Sequence, residues 1–264
     1  MQEEAIGVEE IKGIDADIVC NKYSDERWTR SLVHAPIERE LTIYINLQEL
    51  VTIICTPTKL NFLVLGFLYS ERIISRVGDV AMMRICDDEW TADVRLNNTN
   101  FELPTKRTLT SGCGGGSTFS NYGQKVDSDF ALKPTEVLSQ MKLLTEHEEL
   151  YKLSGGVHTS ALSDTKNLLV VTEDIGRHNT LDKIQGECLF NGIRTRDRMI
   201  LTTGRVSSEM LRKAARMETP VVVSRHTPTG TAISLAQDLG IALIGQARGK
   251  RMLVYSHPER LGCA

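Results

Sequence analysis

The sequence predicts an α/β protein: a mostly parallel sheet flanked by helices in its C-terminal half, with a smaller N-terminal α+β subdomain ahead of it. Three observations predict this. Apolar runs at 168–171, 199–201, 220–223 and 241–244 alternate with helical segments from about Thr180, Ser207 and Thr231, as in βαβ units. Nearer the N-terminus, Leu41, Ile43 and Ile45 alternate with Thr42, Tyr44 and Asn46, the pattern of a half-buried strand. Between the halves, residues 112–129 are rich in Gly, Ser, Asn and Asp with almost nothing apolar to anchor them.

Composition bounds the function classes. A chain of 264 residues with 41% hydrophobic content can bury a sizeable core. With 25% charged residues and a net charge of −3, nothing global steers it to nucleic acid or an anionic membrane. The first twenty residues carry six acidic side chains and no apolar run, unlike a secretory signal, and the longest apolar stretch, 62–68, is too short to span a bilayer. A cytoplasmic protein is expected. The six cysteines are scattered with no C-x-x-C pair, so neither a zinc site nor a disulfide scaffold is signalled.

Four segments follow in order. Residues 1–34 read as a polar N-terminal arm without assigned structure. Residues 35–111 form the small subdomain: the strand from Leu41, a second at 50–55, a turn through 47–49, and a helix after Thr58 with Leu60, Leu63, Val64, Phe67 and Leu68 on one side. Short alternating runs at 82–85 and 92–96 complete it. Residues 112–133 are the mobile glycine-rich loop that carries Cys113, and 134–264 are the α/β domain, opened by a helix from Pro134 to about Leu153.

Parallel strands joined by helices place their carboxyl-end loops on one edge, where ligands of open α/β folds bind. Each such loop supplies an arginine: Arg177 followed by His178, Arg205, Arg225, and Arg248 within Gln246, Ala247, Arg248, Gly249, Lys250 and Arg251. Together they suit a phosphorylated ligand. Taken singly, each loop reads as well as a helix start capped by Asn179, Ser207 or Thr231, with Asp182 in a capping-box spacing and the arginines solvated. Two motifs fail. Residues 245–250 end in Gly-Lys but are one residue short of a phosphate-binding loop and lead into a strand, and His147-Glu148-Glu149 lacks the cysteines of a zinc deaminase.

Cys113 stands between Gly112 and Gly114. Small flanks leave a thiol approachable, and backbone N–H groups can stabilise the thiolate that attacks sulfur. A free cysteine is otherwise a small buried hydrophobe, the reading that suits Cys55, Cys86 and Cys188.

Gly112-Cys113-Gly114, the run 155–159 (GGVHT), the run 173–179 (EDIGRHN) with Asp182-Lys183, Ser207-Ser208-Glu209-Met210 and the closing 257–261 (HPERL) together resemble the FdhD family, from about Ala35 to Leu261. The resemblance implies a cytidine-deaminase-like fold without zinc chemistry or any catalytic metal of its own, and a homodimer. It implies a carrier that accepts persulfide sulfur from a cysteine desulfurase on Cys113. The sulfur then passes to the molybdenum bis(molybdopterin guanine dinucleotide) cofactor, held as bound substrate, before insertion into formate dehydrogenase. By the same resemblance, 246–251 is the cofactor-binding stretch. One position departs from the pattern: Gly116 stands where many members carry a second cysteine, so no local disulfide can expel the sulfur. That departure keeps open a cofactor-binding chaperone without covalent transfer; a hydrolase is a distant third.

Overall fold

The computed structural model describes residues 15–86, 88–102, 108–109, 117–118 and 124–263. It opens on a ribbon in which β1 (Asp15–Ser24) and β2 (Arg27–Pro36) pair antiparallel over their whole length. Asp25 and Glu26 make the two-residue turn at φ 50° and 61°, the left-handed backbone such a hairpin needs. Tyr23 and Trp28 meet across its mouth with ring centroids 5.0 Å apart. Within the segment read as an unstructured polar arm, residues 15–34 are therefore ordered as strands. Their acidic residues obscured a pattern of strand formers (Ile18, Val19, Tyr23, Trp28, Leu32 and Val33) that stay largely exposed.

β3 (Arg39–Ile45), β4 (Gln48–Cys55), β5 (Val80–Cys86) and β6 (Thr91–Leu96) form a four-stranded sheet in the order β4-β3-β6-β5. The β3–β4 turn is Asn46-Leu47, both left-handed, slightly earlier than the pattern suggested. α1 (Leu60–Ser70) covers one face of this sheet, and its Leu63, Val64 and Phe67 join Leu41, Ile43 and Val94 in a core. β7 (Thr108–Leu109) and β8 (Ser117–Thr118) pair with each other. Cys113, between them in the chain, and most of the glycine-rich run lie outside the described residues.

The larger sheet contains β9 (His158–Ser163), β10 (Leu168–Asp174), β11 (Met199–Thr202), β12 (Val221–Ser224), β13 (Ala242–Arg248) and β14 (Arg251–Val254), in the order β10-β9-β11-β12-β13-β14. The α/β class holds, but the sheet is mixed rather than mostly parallel: within it only β11–β12 and β12–β13 pair parallel, and the other neighbours pair antiparallel. β9, which the sequence pattern did not reveal, lies antiparallel between β10 and β11. Its run HTSALS is poor in strand formers. It is buried at the cost of hydroxyl pairing, with Ser160 Oγ 2.7 Å from Thr180 Oγ1 and 2.9 Å from Thr202 Oγ1. Two antiparallel steps restore direction, so β10 still points the same way as β11, β12 and β13.

Successive residues of the inner strands alternate between two cores, as a two-residue period dictates. Ile200, Val222 and Leu243 face α4 (Arg177–Asn191), α5 (Ser208–Arg216) and α6 (Gly230–Leu239). Leu201, Val223 and Ile244 face α2 (Pro134–Glu146) and Leu261. α1 of the small sheet packs on α4 through two glycines: a Cβ on Gly66 would overlap the Asp182 carbonyl, and one on Gly186 would overlap that of Phe62. The single helix expected to run from Pro134 to about Leu153 is two helices, α2 and α3 (Glu149–Ser154). Glu148 turns inward between them, and the Glu173 carboxylate caps the new start, accepting from Leu150 N and Tyr151 N at 2.7 and 3.0 Å.

Candidate functional site

The shared direction of β10–β13 gathers their carboxyl ends on one edge, and antiparallel β9 begins there, so His158 stands opposite Asp174. After β12, Ser224 Oγ donates to Gly204 O at 2.6 Å and accepts from His226 N at 2.9 Å, which turns Arg225 and His226 out of the sheet. β13 does not stop at Ile244 but continues to Arg248. Its register slips after Gly245, and Gln246 takes φ 51°, a bulge that redirects the strand end. Gly249, at φ 59°, and Lys250 then turn the chain into β14, so 246–251 is a hairpin tip rather than a free loop.

Arg225 and Arg248 are tied together at this edge. Arg248 Nε donates to Arg225 O at 2.9 Å, one Arg248 Nη lies 3.4 Å from His226 Nδ1, and Arg225 Nη1 reaches Glu148 Oε1 at 2.8 Å. Both arginines line three adjoining cavities. The first, about 730 Å³, also takes in His158, His226, Thr203, Gly155 and Gly156. The second, about 660 Å³, lies against α2 and adds Leu138, Met141, Ala247, Gly249 and Lys250. The third, about 200 Å³, adds His226, Thr227, Gln246 and Arg251.

The histidines here are pushed toward the neutral form. Burial, then the charges of Arg177 and His226, lower the pKa of His158; burial, then Arg248 and Arg225, lower that of His226. The positive charge therefore resides on guanidinium groups, which suit phosphate oxygens, while the neutral imidazoles can both donate and accept.

Of the residues singled out from sequence, Arg225 and Gln246 to Arg251 converge on these cavities. Arg205 is exposed in its loop and lines none of the three. Arg177 and His178 are buried behind the edge at the start of α4, with His178 Nε2 3.0 Å from Ser207 Oγ and 3.3 Å from Glu209 Oε2. The capping assignments also shift. Ser207 caps α5, but Thr229 rather than Thr231 caps α6 and Gly176 precedes α4. Asn179 instead donates to Ile54 O and Asp174 Oδ1, and Asp182 is buried against Lys213 at 2.7 Å. His158 and Glu148 were missed as site residues, the first because β9 was not foreseen and the second because it sits in a helix-like run.

The five described cysteines are free. Cys55 and Cys188 are buried, and burial pushes both thiols up to about 12. Cys188 is therefore no accessible partner for a loop thiol. His147 is exposed at the end of α2, with Nδ1 bonded to Leu143 O at 2.9 Å. Among the described residues no cluster of three or more His, Cys, Asp or Glu is placed to hold a metal ion, and no helix is long and apolar enough to cross a membrane.

Residues 36–262 match the sequence profile of the FdhD/NarQ family. The chain belongs to that family. It is similar to proteins named Sulfur carrier protein FdhD from Staphylococcus aureus. The strain MRSA252 relative is 37% identical over 248 residues, 91% of this chain and 94% of the relative; the strain Newman relative is 36% identical over the same spans. The crystal structure of a Desulfotalea psychrophila protein assigned as a formate dehydrogenase accessory protein superposes with a TM-score of 0.77. It is 23% identical and covers 94% of this chain and 99% of that one, a likeness of fold.

Proposed function

We propose that the protein is a sulfur carrier that accepts persulfide sulfur on Cys113 from a cysteine desulfurase. It delivers that sulfur to a molybdenum bis(molybdopterin guanine dinucleotide) substrate before insertion into formate dehydrogenase. The relatives' name supports carriage. The observation that carries the reading to this substrate is the convergence of Arg225 and Arg248 on three adjoining cavities with neutral histidines beside them, suited to a large ligand with several phosphates.

In the loading step the Cys113 thiolate attacks the outer sulfur of the desulfurase persulfide, and the desulfurase thiolate leaves. With Gly116 in the loop and Cys188 buried, the two electrons that convert the carried sulfur to sulfide come from the acceptor or an external thiol. At the edge, Arg225, Arg248 and the hairpin tip bind and orient the phosphates, and His158 and His226 supply hydrogen bonds. We also propose a cytoplasmic location, in keeping with the free described cysteines, and a homodimer, which sedimentation would check.

Intact mass spectrometry after incubation with a desulfurase and cysteine should show one added sulfur, removed by reductant and absent in Cys113→Ser. Full activation of formate dehydrogenase by Cys113→Ser, with loss in Arg225→Ala or Arg248→Ala, would instead establish a cofactor-binding chaperone without covalent transfer.

A further inference from the structure

Glu148 is an odd neighbour for an anion site. It is only 3% exposed, its carboxylate bonds Arg225 at 2.8 Å, and its charge opposes the phosphates that the arginines would attract. The local fold is arranged to put it there. A helix is broken at His147-Glu148, and the new start is capped from Glu173 on the sheet. Only one Arg225 nitrogen is engaged by the carboxylate, and the Arg225 carbonyl in turn holds Arg248 Nε. A buried carboxylate that opposes the ligand electrostatically yet grips one end of the guanidinium acts through geometry, since an unbraced arginine must be ordered at the moment of binding.

We propose that Glu148 is a positioning residue of this site: it fixes the Arg225 guanidinium, beside an Arg248 held by the Arg225 backbone carbonyl, in the orientation that receives a diphosphate group. The inference rests on the anion-binding reading given under Proposed function. It makes reach matter and charge count against binding. Glu148→Asp keeps the charge and withdraws the carboxylate by one methylene; Glu148→Gln keeps the reach and the acceptor oxygen and removes the charge.

The test is calorimetric titration of the full chain and its variants with inorganic pyrophosphate, alongside thermal unfolding. Glu148→Asp should weaken binding about tenfold, the scale of one misaligned charge-assisted bond. Glu148→Gln should tighten it about threefold as an opposing charge is lost from a partly screened site. In an Arg225→Ala background Glu148→Asp should alter affinity no further, because its path runs through Arg225, whereas Glu148→Gln should still tighten binding, because the repulsion acts on the ligand directly. A brace for the helix break alone would change the unfolding temperature and leave the pyrophosphate affinities equal, and that result overturns the proposal. So does the reverse order, with Asp binding better than Gln, or full additivity of Glu148→Asp with Arg225→Ala. Failure of the unmodified protein to bind pyrophosphate overturns the anion reading and this inference with it; unmodified binding with an unaffected Asp variant overturns this inference alone.

Discussion

Lys183 Nζ lies 2.7 Å from Asp174 Oδ2, and neither side chain is exposed at all. The ammonium also donates to Thr56 O and Thr58 Oγ1, both at 3.1 Å, while Thr56 N donates to the same Asp174 oxygen at 3.1 Å. Asp174 Oδ1 accepts from Gly176 N at 2.7 Å and Asn179 Nδ2 at 2.8 Å. One ion pair thus fixes the end of β10, the start of α4 and the chain entering α1. Lys183→Met leaves a buried carboxylate without its cation and should cost about 3–5 kcal/mol, read as a lower urea midpoint.

Gly186→Ala should be worse than Gly192→Ala. At Gly192 nothing lies within 4 Å of a new Cβ, so only the left-handed backbone at φ 68° is strained, at about 1–2 kcal/mol. At Gly186 the methyl meets the backbone of Phe62, and α1 and α4 must part. Thermal unfolding of the two variants should fall in that order.

Acid should destabilise the protein through His178. Burial first, and then Lys213, Arg177 and His158, push its pKa from 6.5 down to about 3, while Ser207 and Glu209 face its Nε2. The unfolded chain binds the proton more readily, so the stability from neutral His178 is complete above its unfolded value and is lost as the pH falls toward 3. The slope is about 1.4 kcal/mol per pH unit. His158 and His226 are shifted the same way. Urea midpoints between pH 7 and 5 should drop, and His178→Gln should drop less steeply.

Thiol labelling should sort the described cysteines by burial. Cys263 is exposed and should react with iodoacetamide under native conditions. Cys55 and Cys188, with thiols pushed up to about 12, should react only after unfolding. Native labelling of Cys188 at the rate of Cys263 would reopen an internal disulfide as the route of sulfur release.

Strands with a clear two-residue or apolar pattern were legible, which is why β3, β4, β11 and β12 lie near their expected positions. β9 was not, because its buried Thr159, Ser160 and Ser163 look like turn residues until Glu173, Thr180, Thr202 and Gln140 satisfy them. Charge misled in both directions. Asp182, which reads as part of a capping box, is buried against Lys213 on another helix, and Lys183 is buried against Asp174. The arginine-bearing edge was legible because strand direction alone sets which loops share it. Arg205 shows that sharing an edge does not bring a side chain to the same cavity.

The glycine seam between α1 and α4 also bears on how the chain reaches this structure. Thr56 and Lys183, bonded across that junction, are 127 residues apart in sequence, so the junction closes only when both halves have been synthesised. A division near residue 111 would leave α1 without the helix it packs on and α4 without Thr56 and Thr58 for Lys183. Folding should be slow, with an early phase in which the nascent first half presents an uncovered helix until the second half arrives.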